Sequence, residues 1–493
     1  MKLLSELIEK MKVLTIVGNS RIMISSLSFD SRKIQAGSLF VAVKGLHADG
    51  HQYIADVVKA GAVAVVCEEI PIQRIEGITY VQVSDSGYAL GQAASAWFGF
   101  PSAKLKLVGI TGTNGKTTTV TLLFNLFRKL GYHAGLLSTI SNRIDDDVIA
   151  STHTTPDALQ LNELLSVMVE RGCEYCFMEV SSHAVVQNRI AGLTFAGGIF
   201  SNITHDHLDF HHTFDEYLKA KKRFFDELPP EAFALSNIDD RNGRVMLQNT
   251  KAQKSTYSIS ALADFKGRII EAPLDGLHLE VDGIDVWCKL VGHFNAYNLL
   301  AVYSAAQLLG AEKIQTLTIL STLGSVEGRF DYLKSNSGTI AIVDYAHTPD
   351  ALQNVLDTIK DLRTGNETLI TVVGCGGDRD RTKRPVMARI ASRMSDKVII
   401  TSDNPRSEEP EAIINEMMTG IEAEYSRKVL TITDRREAIR TACVLSNPGD
   451  VILVAGKGHE KYQEIKGVRH HFDDKEQLAE FLLDEDLVTD KPN

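Results

Sequence analysis

Short apolar runs punctuate the chain, and most are followed by a glycine-rich or polar turn and then a helical pattern. In the middle third the runs are LKLVGIT, GLLST, YCFMEV, AGGIFSNI and AFALSNI. Between them lie PDALQLNELLSVMVERG and FDEYLKAKKRFFDEL, whose apolar residues recur every three or four positions. This alternation predicts a mostly parallel sheet covered by helices. A more polar, hairpin-like stretch follows, RIIEAPLDGLHLEVDGIDVWCKL, and then a helix from about Asn295 to Leu309. The alternation resumes with TIAIVDY, TLITVVG, KVIITSD, VLTITD and VILVAGKG, which predicts a second, doubly wound sheet. Before both, SLFVAVKG, AVAVVCEE and ITYVQVSD read as strands of a small α/β domain, preceded by an amphipathic helix in MKLLSELIEKMKVL.

The fold class expected is therefore α/β in three domains, at residues 1–100, 101–330 and 331–493. The central one is P-loop ATPase-like with a mostly parallel sheet, and the last is Rossmann-like. A length of 493 residues exceeds what one ordinary core organises.

Composition narrows the function classes. An apolar fraction of 44% with 23% charged residues is that of a soluble globular protein. No apolar span is long enough for a transmembrane helix, and the opening leucines are interrupted by Glu and Lys, unlike a signal peptide. The expected location is the cytoplasm. The formal charge of −11, with no basic block, argues against nucleic acid as a partner. Anionic small molecules stay open, because local Lys and Arg decide a pocket. Of six cysteines only Cys173 and Cys176 have CxxC spacing, and Cys176 lies inside an apolar run, so buried reduced thiols are expected.

The sharpest chemical signal is VGITGTNGKTTTV, at residues 108–120, between a strand and a helix that begins near Lys116. Gly112 and Gly115 let backbone N–H groups of Thr113 and Asn114 turn toward phosphate oxygens. Lys116 reaches the outer phosphates, and the Thr117 hydroxyl, followed by Thr118, can ligate Mg²⁺. The first glycine of the usual phosphate-loop pattern is replaced by Ile110. Two further strand ends carry titratable groups, MEVSSHAVVQNRIAG (178–192) and SNITHDHLDFHH (201–212). The histidines of the second could suggest zinc, but their spacing matches no common structural zinc pattern, and a neighbouring nucleotide site calls for oxygen-ligated Mg²⁺.

TGTNGKTT in this shorter form resembles the ATP loop of the Mur ligases, which build the peptide stem of bacterial cell-wall precursors. The other motifs follow in that family's order along essentially the whole chain. The resemblance implies ATP as cosubstrate and two magnesium ions. Thr117 and Glu179 would help hold one ion, and His207 would serve the second. In FDEYLKAKKRFFDEL it implies that Lys221, and not Lys219 or Lys222, is carbamylated (N6-carboxylysine) and supplies oxygens to that second ion. SFDSRKIQAGSLFVAVKG resembles a uridine-nucleotide-binding domain with Ser31 in contact. HTTPDA, with Thr154 and Thr155, resembles the segment that grips a muramoyl-dipeptide, together with Ser181, Gln187 and Arg189. Capping the following helix is an equally natural job for Thr155.

GHFNAYN resembles the adenine-side segment, with Asn295 in contact. EGRFD and DYAHTPDAL imply Arg329 near the phosphates and His347 near a cleft. GCGGDRDRTKRPVM assigns Arg379 to an incoming amino acid, and GKGHE adds Gly456 and Glu460 to that pocket. Asp403, Asn404, Pro405 and Arg406 complete it. Before any resemblance is considered, this tetrad reads as a stiff loop presenting a carboxylate and a guanidinium at a strand end.

The activity implied is ATP-dependent amide formation through an acyl phosphate. UDP-N-acetylmuramoyl-L-alanyl-D-glutamate would be the acceptor and meso-diaminopimelate the added amine. Both are small molecules, and a monomer that closes its last domain over the central one is expected. L-lysine as the added residue is the nearest rival. A folylpolyglutamate-synthetase-like ligase, which lacks a uridine module, and a non-catalytic ATP-binding scaffold are the others.

Overall fold

The structure is a computed structural model and describes residues 1–45, 48–151, 154–204, 208–211, 213–273 and 276–483. The chain divides into two compact units. Among the described residues the first holds 1–203, 208–266 and 298–319, and the second holds 267–297 and 320–483, with Thr204.

The first unit contains two large sheets and a two-stranded ribbon, Lys2–Leu3 with Met23–Ile24. The smaller has the order Val13–Val17, Thr79–Val83, Ala62–Cys67, Ser38–Val41, Ser26–Ser28, antiparallel only at the first pairing. One face packs Leu39, Val41, Ala64, Val66 and Val81 against Ala89, Leu90 and Ala93 of the helix Ser86–Trp97. The amphipathic helix expected at the chain start is only Leu4–Ile8. Residues 9–12 form a turn, and Val13 and Leu14 already belong to the edge strand Val13–Val17, because this β-branched run finds backbone partners along Tyr80–Val83.

The larger sheet runs Asp147–Ala150, Ser141–Ile144, Ala134–Leu137, Tyr175–Glu179, Lys106–Thr111, Gly197–Phe200, Phe233–Asn237, Gln253–Ser258 and then the start of Phe265–Glu271, paired through Phe265 and Lys266. It is parallel from Ala134–Leu137 onward. Lys106–Thr111 is central and fixes the site, since Glu179 pairs in register with Ile110 and Phe200 with Thr111. Three carboxyl ends therefore arrive side by side, where open parallel sheets place ligands. Cys173 and Cys176 lie in this sheet's hydrophobic core, and none of the six cysteines forms a disulfide. Burial pushes the Cys173 thiol up to about 11.

In the second unit, residues 267–271 pair antiparallel with Leu277–Val281, which pairs antiparallel with Ile284–Cys288, where the sequence reads as hairpin-like. A six-stranded sheet follows in the order Asp331–Lys334, Ile340–Asp344, Val451–Ala455, Leu369–Val373, Lys397–Ile400, Val429–Thr431, antiparallel only at its first edge. The helices Pro349–Leu362, Lys383–Met394 and Pro410–Met418 cover one face. Arg435–Leu445 and Asp474–Leu483 cover the other, which makes the sheet doubly wound. Among the described residues no helix is long and apolar enough to cross a membrane.

Candidate active site

The phosphate-loop segment leaves the central strand at Thr111 and enters the helix Lys116–Lys129. Two glycines are required by close approach. A methyl at Gly112 would overlap Ser201 Oγ, and one at Gly115 (φ +84°) would overlap Asn298 Oδ1. The loop is braced by Asn202, whose carbonyl accepts from Thr113 N (2.8 Å) and whose Oδ1 accepts from Asn114 N (2.9 Å). Ser201 Oγ donates to Asn114 O at 2.7 Å. Lys116 Nζ folds back on the carbonyls of Gly112 (2.9 Å) and Thr113 (2.8 Å). Thr117 and Thr118 are buried at the first turn.

The helix Phe214–Asp226 is capped by Thr213 and lies beside this loop. Tyr217, Phe224 and Phe225 face inward, and so does Lys221, only 1% exposed. Its ammonium lies over the Tyr217 ring and donates to Gly112 O at 2.8 Å, the carbonyl that Lys116 also uses. Tyr217 OH meets Thr113 Oγ1 at 3.1 Å. Lys219 is exposed and Lys222 pairs with Asp226, so of the three lysines only Lys221 reaches the loop.

Glu179 ends its strand almost fully buried, and its Oε1 accepts from Thr139 N at 2.8 Å. Thr139, which the sequence reading missed, also donates to Thr154 Oγ1 at 3.1 Å. Thr155 Oγ1 donates to the Glu179 carbonyl (2.8 Å) and accepts from Ser181 N (3.2 Å). Arg189 donates to Thr155 O at 2.8 Å and to Gln187 Oε1 at 2.9 Å. Thr154, Thr155, Ser181, Gln187 and Arg189 are thus one connected group beside Glu179. Thr155 does not cap the following helix. Asp157 does, accepting from Leu159 N and Gln160 N, because its carboxylate stands at the last extended residue before the helix. Ser181 caps its own short helix through Ala184 N.

His207 lies outside the described residues. His211, four positions on, is buried with Nε2 at 2.9 Å from Ser182 Oγ. Ser31 opens a single 3₁₀ turn capped by Asp30, whose carboxyl a hydrogen bond from Arg32 holds down at about 2.

In the second unit, four loops leave the carboxyl ends of adjacent strands. The residues 403–406 are not a surface turn. Asp403 and Asn404 are 7% and 2% exposed, and Lys457, which the sequence reading missed, is fully buried beneath them. Lys457 Nζ donates to Asn404 Oδ1 (2.8 Å) and Tyr462 O (2.6 Å) and lies 3.6 Å from Asp403 Oδ1. Asn404 Nδ2 donates to Glu460 Oε2 at 2.8 Å, and Tyr345 OH donates to the other oxygen at 3.3 Å. Gly456 is needed because a methyl there would sit 2.6 Å from Asp403 Oδ2.

Burial alone would raise the Asp403 carboxyl, but Lys457 and Arg435 more than offset it and keep it below its ordinary value. Glu460 is raised, by burial first and then by the charge of Asp403. The fully buried Arg435–Asp474 pair (2.7 Å) supports both loops, with Arg435 donating to the carbonyls of Ser402 and Ala455.

Arg406 occupies the left-handed region, φ +53°, and its Nη1 donates to Gly377 O at 2.7 Å. Its backbone is clamped by the hairpin Tyr462–Ile465/Val468–His471, through Arg406 N to Glu464 O and Lys466 N to Arg406 O. Buried Arg384 ties Gly376 O to Glu408 and Glu416, fixing the glycine loop against this one. Arg379 is exposed at the loop tip. Arg329 lies over the Tyr345 ring, and His347 Nδ1 is 2.8 Å from Tyr345 O. Asn295 Nδ2 caps Val291 O at 2.8 Å.

This geometry, a phosphate loop with a buried lysine beside it and an ion-paired loop cluster on a second sheet, has counterparts among known proteins. Residues 23–97 match the Mur ligase family catalytic domain, 110–306 the Mur ligase middle domain, and 328–458 the Mur ligase glutamate ligase domain. The chain belongs to the Mur ligase family. A UDP-N-acetylmuramoyl-L-alanyl-D-glutamate--2,6-diaminopimelate ligase from Cytophaga hutchinsonii is 59% identical over 480 residues, 97% of this chain and 99% of that protein. One of the same name from Bacteroides fragilis is 56% identical, over 97% and 99%. A solved structure of a ligase with that name superposes with TM-score 0.72 at 31% identity, covering 99% of both chains. A Mycobacterium tuberculosis folylpolyglutamate synthase shares the fold (TM-score 0.59, 15% identity) but covers 75% of this chain.

Proposed function

We propose that this chain is an ATP-dependent amide ligase joining meso-2,6-diaminopimelate to UDP-N-acetylmuramoyl-L-alanyl-D-glutamate, in cytoplasmic assembly of a cell-wall precursor. The observation that carries it is the near-complete coverage of relatives bearing that ligase's name, at up to 59% identity. The intact Asp403-Asn404-Pro405-Arg406 tetrad adds weight.

The D-glutamate carboxylate attacks the γ-phosphate of ATP, breaking the β–γ anhydride bond, and forms an acyl phosphate with ADP as the leaving group. The diaminopimelate amine then attacks the acyl carbon, forming the amide and expelling phosphate. Lys116 and the loop amides offset the negative charge that gathers when a carboxylate approaches a triphosphate. Thr154, Thr155, Ser181, Gln187 and Arg189 grip the muramoyl-dipeptide, and Ser31 the uridine end. Asn295 and Arg329 serve the nucleotide, and His347 lies near the interdomain cleft. Arg379, Asp403, Asn404, Arg406, Gly456 and Glu460 take the amino acid, with Pro405 stiffening the loop.

The donors beside the loop suit magnesium, since the Thr117 hydroxyl and the buried Glu179 carboxylate are hard oxygen ligands. His207 and a carbamylated Lys221 would complete the set for two ions, and bound Mg²⁺ would neutralise phosphate charge. The three functional modules are assigned to residues 1–100, 101–330 and 331–493, and the enzyme acts as a monomer.

Phosphate release that requires ATP, the UDP-dipeptide and meso-diaminopimelate together is the expected result. ATP hydrolysis indifferent to both acceptor and amine would overturn the reading. A substrate panel showing equal use of L-lysine would replace diaminopimelate as the added residue.

A further inference from the structure

We propose that Lys457 is the positioning residue of the amino-acid pocket, holding Asp403 and Asn404 in the orientation in which they meet the incoming amine. This rests on the ligase reading above. A lysine with no exposed surface is rare unless its charge is paired, and here two of its contacts go to Asp403 and Asn404 and a third to the hairpin that clamps the same loop. One hydrogen leads to Asn404 Oδ1, another to Tyr462 O, and the charge faces Asp403 Oδ1. Glu464 N donates to the same Asn404 Oδ1 at 2.9 Å, and Gln463 Nε2 donates to Asp403 O at 2.7 Å.

Because Asn404 Oδ1 is saturated by Lys457 and Glu464, its amide nitrogen must point the other way, onto Glu460 Oε2. Lys457 thus decides which way the Asn404 amide faces, and through it where Glu460 stands. With Lys457 neutralised, Asp403 would lose the cation 3.6 Å from its carboxylate, and Arg435 and His347 would remain to face it against the like charge of Glu460. The pocket would then keep its ligand-facing residues and lose their arrangement. Lys457 touches neither ATP nor the UDP-dipeptide in this scheme, so its effect is confined to one substrate.

The test is steady-state kinetics of Lys457→Met with each substrate varied in turn. The expected result is a rise of at least about tenfold in KM for meso-diaminopimelate, with KM for ATP and for the UDP-dipeptide within about twofold of the parent. A merely structural role would lower the active fraction, and so the apparent kcat, without this split. If Lys457→Met does not fold, Lys457→Gln, which keeps one donor, is measured in the same way. A folded variant with an unchanged diaminopimelate KM, or with all three KM values shifted together, overturns the proposal. A parent enzyme that shows no diaminopimelate-dependent phosphate release overturns the ligase reading itself, so the two failures are distinct.

Discussion

Arg406 joins a backbone feature to a side-chain feature, and two substitutions separate them. Its φ of +53° places an L-residue in the left-handed region, which costs about 1–2 kcal/mol. Its guanidinium, held by Gly377 O at 2.7 Å, would on the proposed function clamp the distal carboxylate of diaminopimelate, the group that L-lysine lacks. Arg406→Ala removes the guanidinium and keeps the strain. Arg406→Gly removes both, while adding freedom to the unfolded chain. The glycine variant should therefore be the more stable of the two by about 1 kcal/mol, or about 2–4 °C in Tm.

Both variants should lose the same selectivity. An arginine that bound lysine leaves without a carboxylate partner carries a penalty of about 2–4 kcal/mol, a factor of roughly 30 to 1,000 between the two amino acids. The assay is the ratio of kcat/KM for meso-diaminopimelate over L-lysine, read by phosphate release, beside thermal melts of each variant. A ratio unchanged in either variant would refute the clamp. A glycine variant less stable than the alanine variant would refute the strain.

Lys221→Ala should abolish most ligation, and added bicarbonate should not restore it; full activity in that variant would remove Lys221 from the mechanism. Asp474→Asn leaves Arg435 without its directly paired carboxylate where both partners are 0% exposed, so chemical denaturation should show a loss of about 3–5 kcal/mol. Two groups in contact loops should oppose each other in the pH dependence of stability. Burial lifts Asp344 to about 6, so the folded state holds its proton longer than the unfolded chain, and stability falls as pH rises from about 4 to about 6. Burial, with Arg329 and His347 nearby, drops His459 to about 4, so the unfolded chain takes up the proton first and stability rises across about pH 4 to 6.5. Asp344→Asn should make the slope of unfolding free energy against pH more positive than in the parent, and His459→Gln more negative. Identical slopes in all three proteins would refute the pair.

The strand-and-helix alternation was legible because buried parallel strands and their covering helices need apolar residues at fixed periods. The runs from LKLVGIT to VILVAGKG fall on strands, and the helix expected to begin near Lys116 begins there. The N-terminal segment was misread past Ile8, since a short apolar run fits helix or strand until a partner strand decides.

The loop motifs were visible as chemistry, but not what surrounds each group. Lys221 could have been singled out from its phase alone, four residues after Tyr217 and three before Phe224 on the inward stripe. Its meeting with Gly112 O, 109 residues away, could not. Likewise DNPR declared its charges, while the buried Lys457, the Arg435–Asp474 pair and the hairpin that clamps Arg406 come from four later segments. Period and motif are local properties, so the sequence by itself determined the elements, their order and the residues with chemical potential. Burial and pairing are set by contacts between distant segments, so only the tertiary structure decided that Asp403 would be an ion-paired interior carboxylate and not a surface charge.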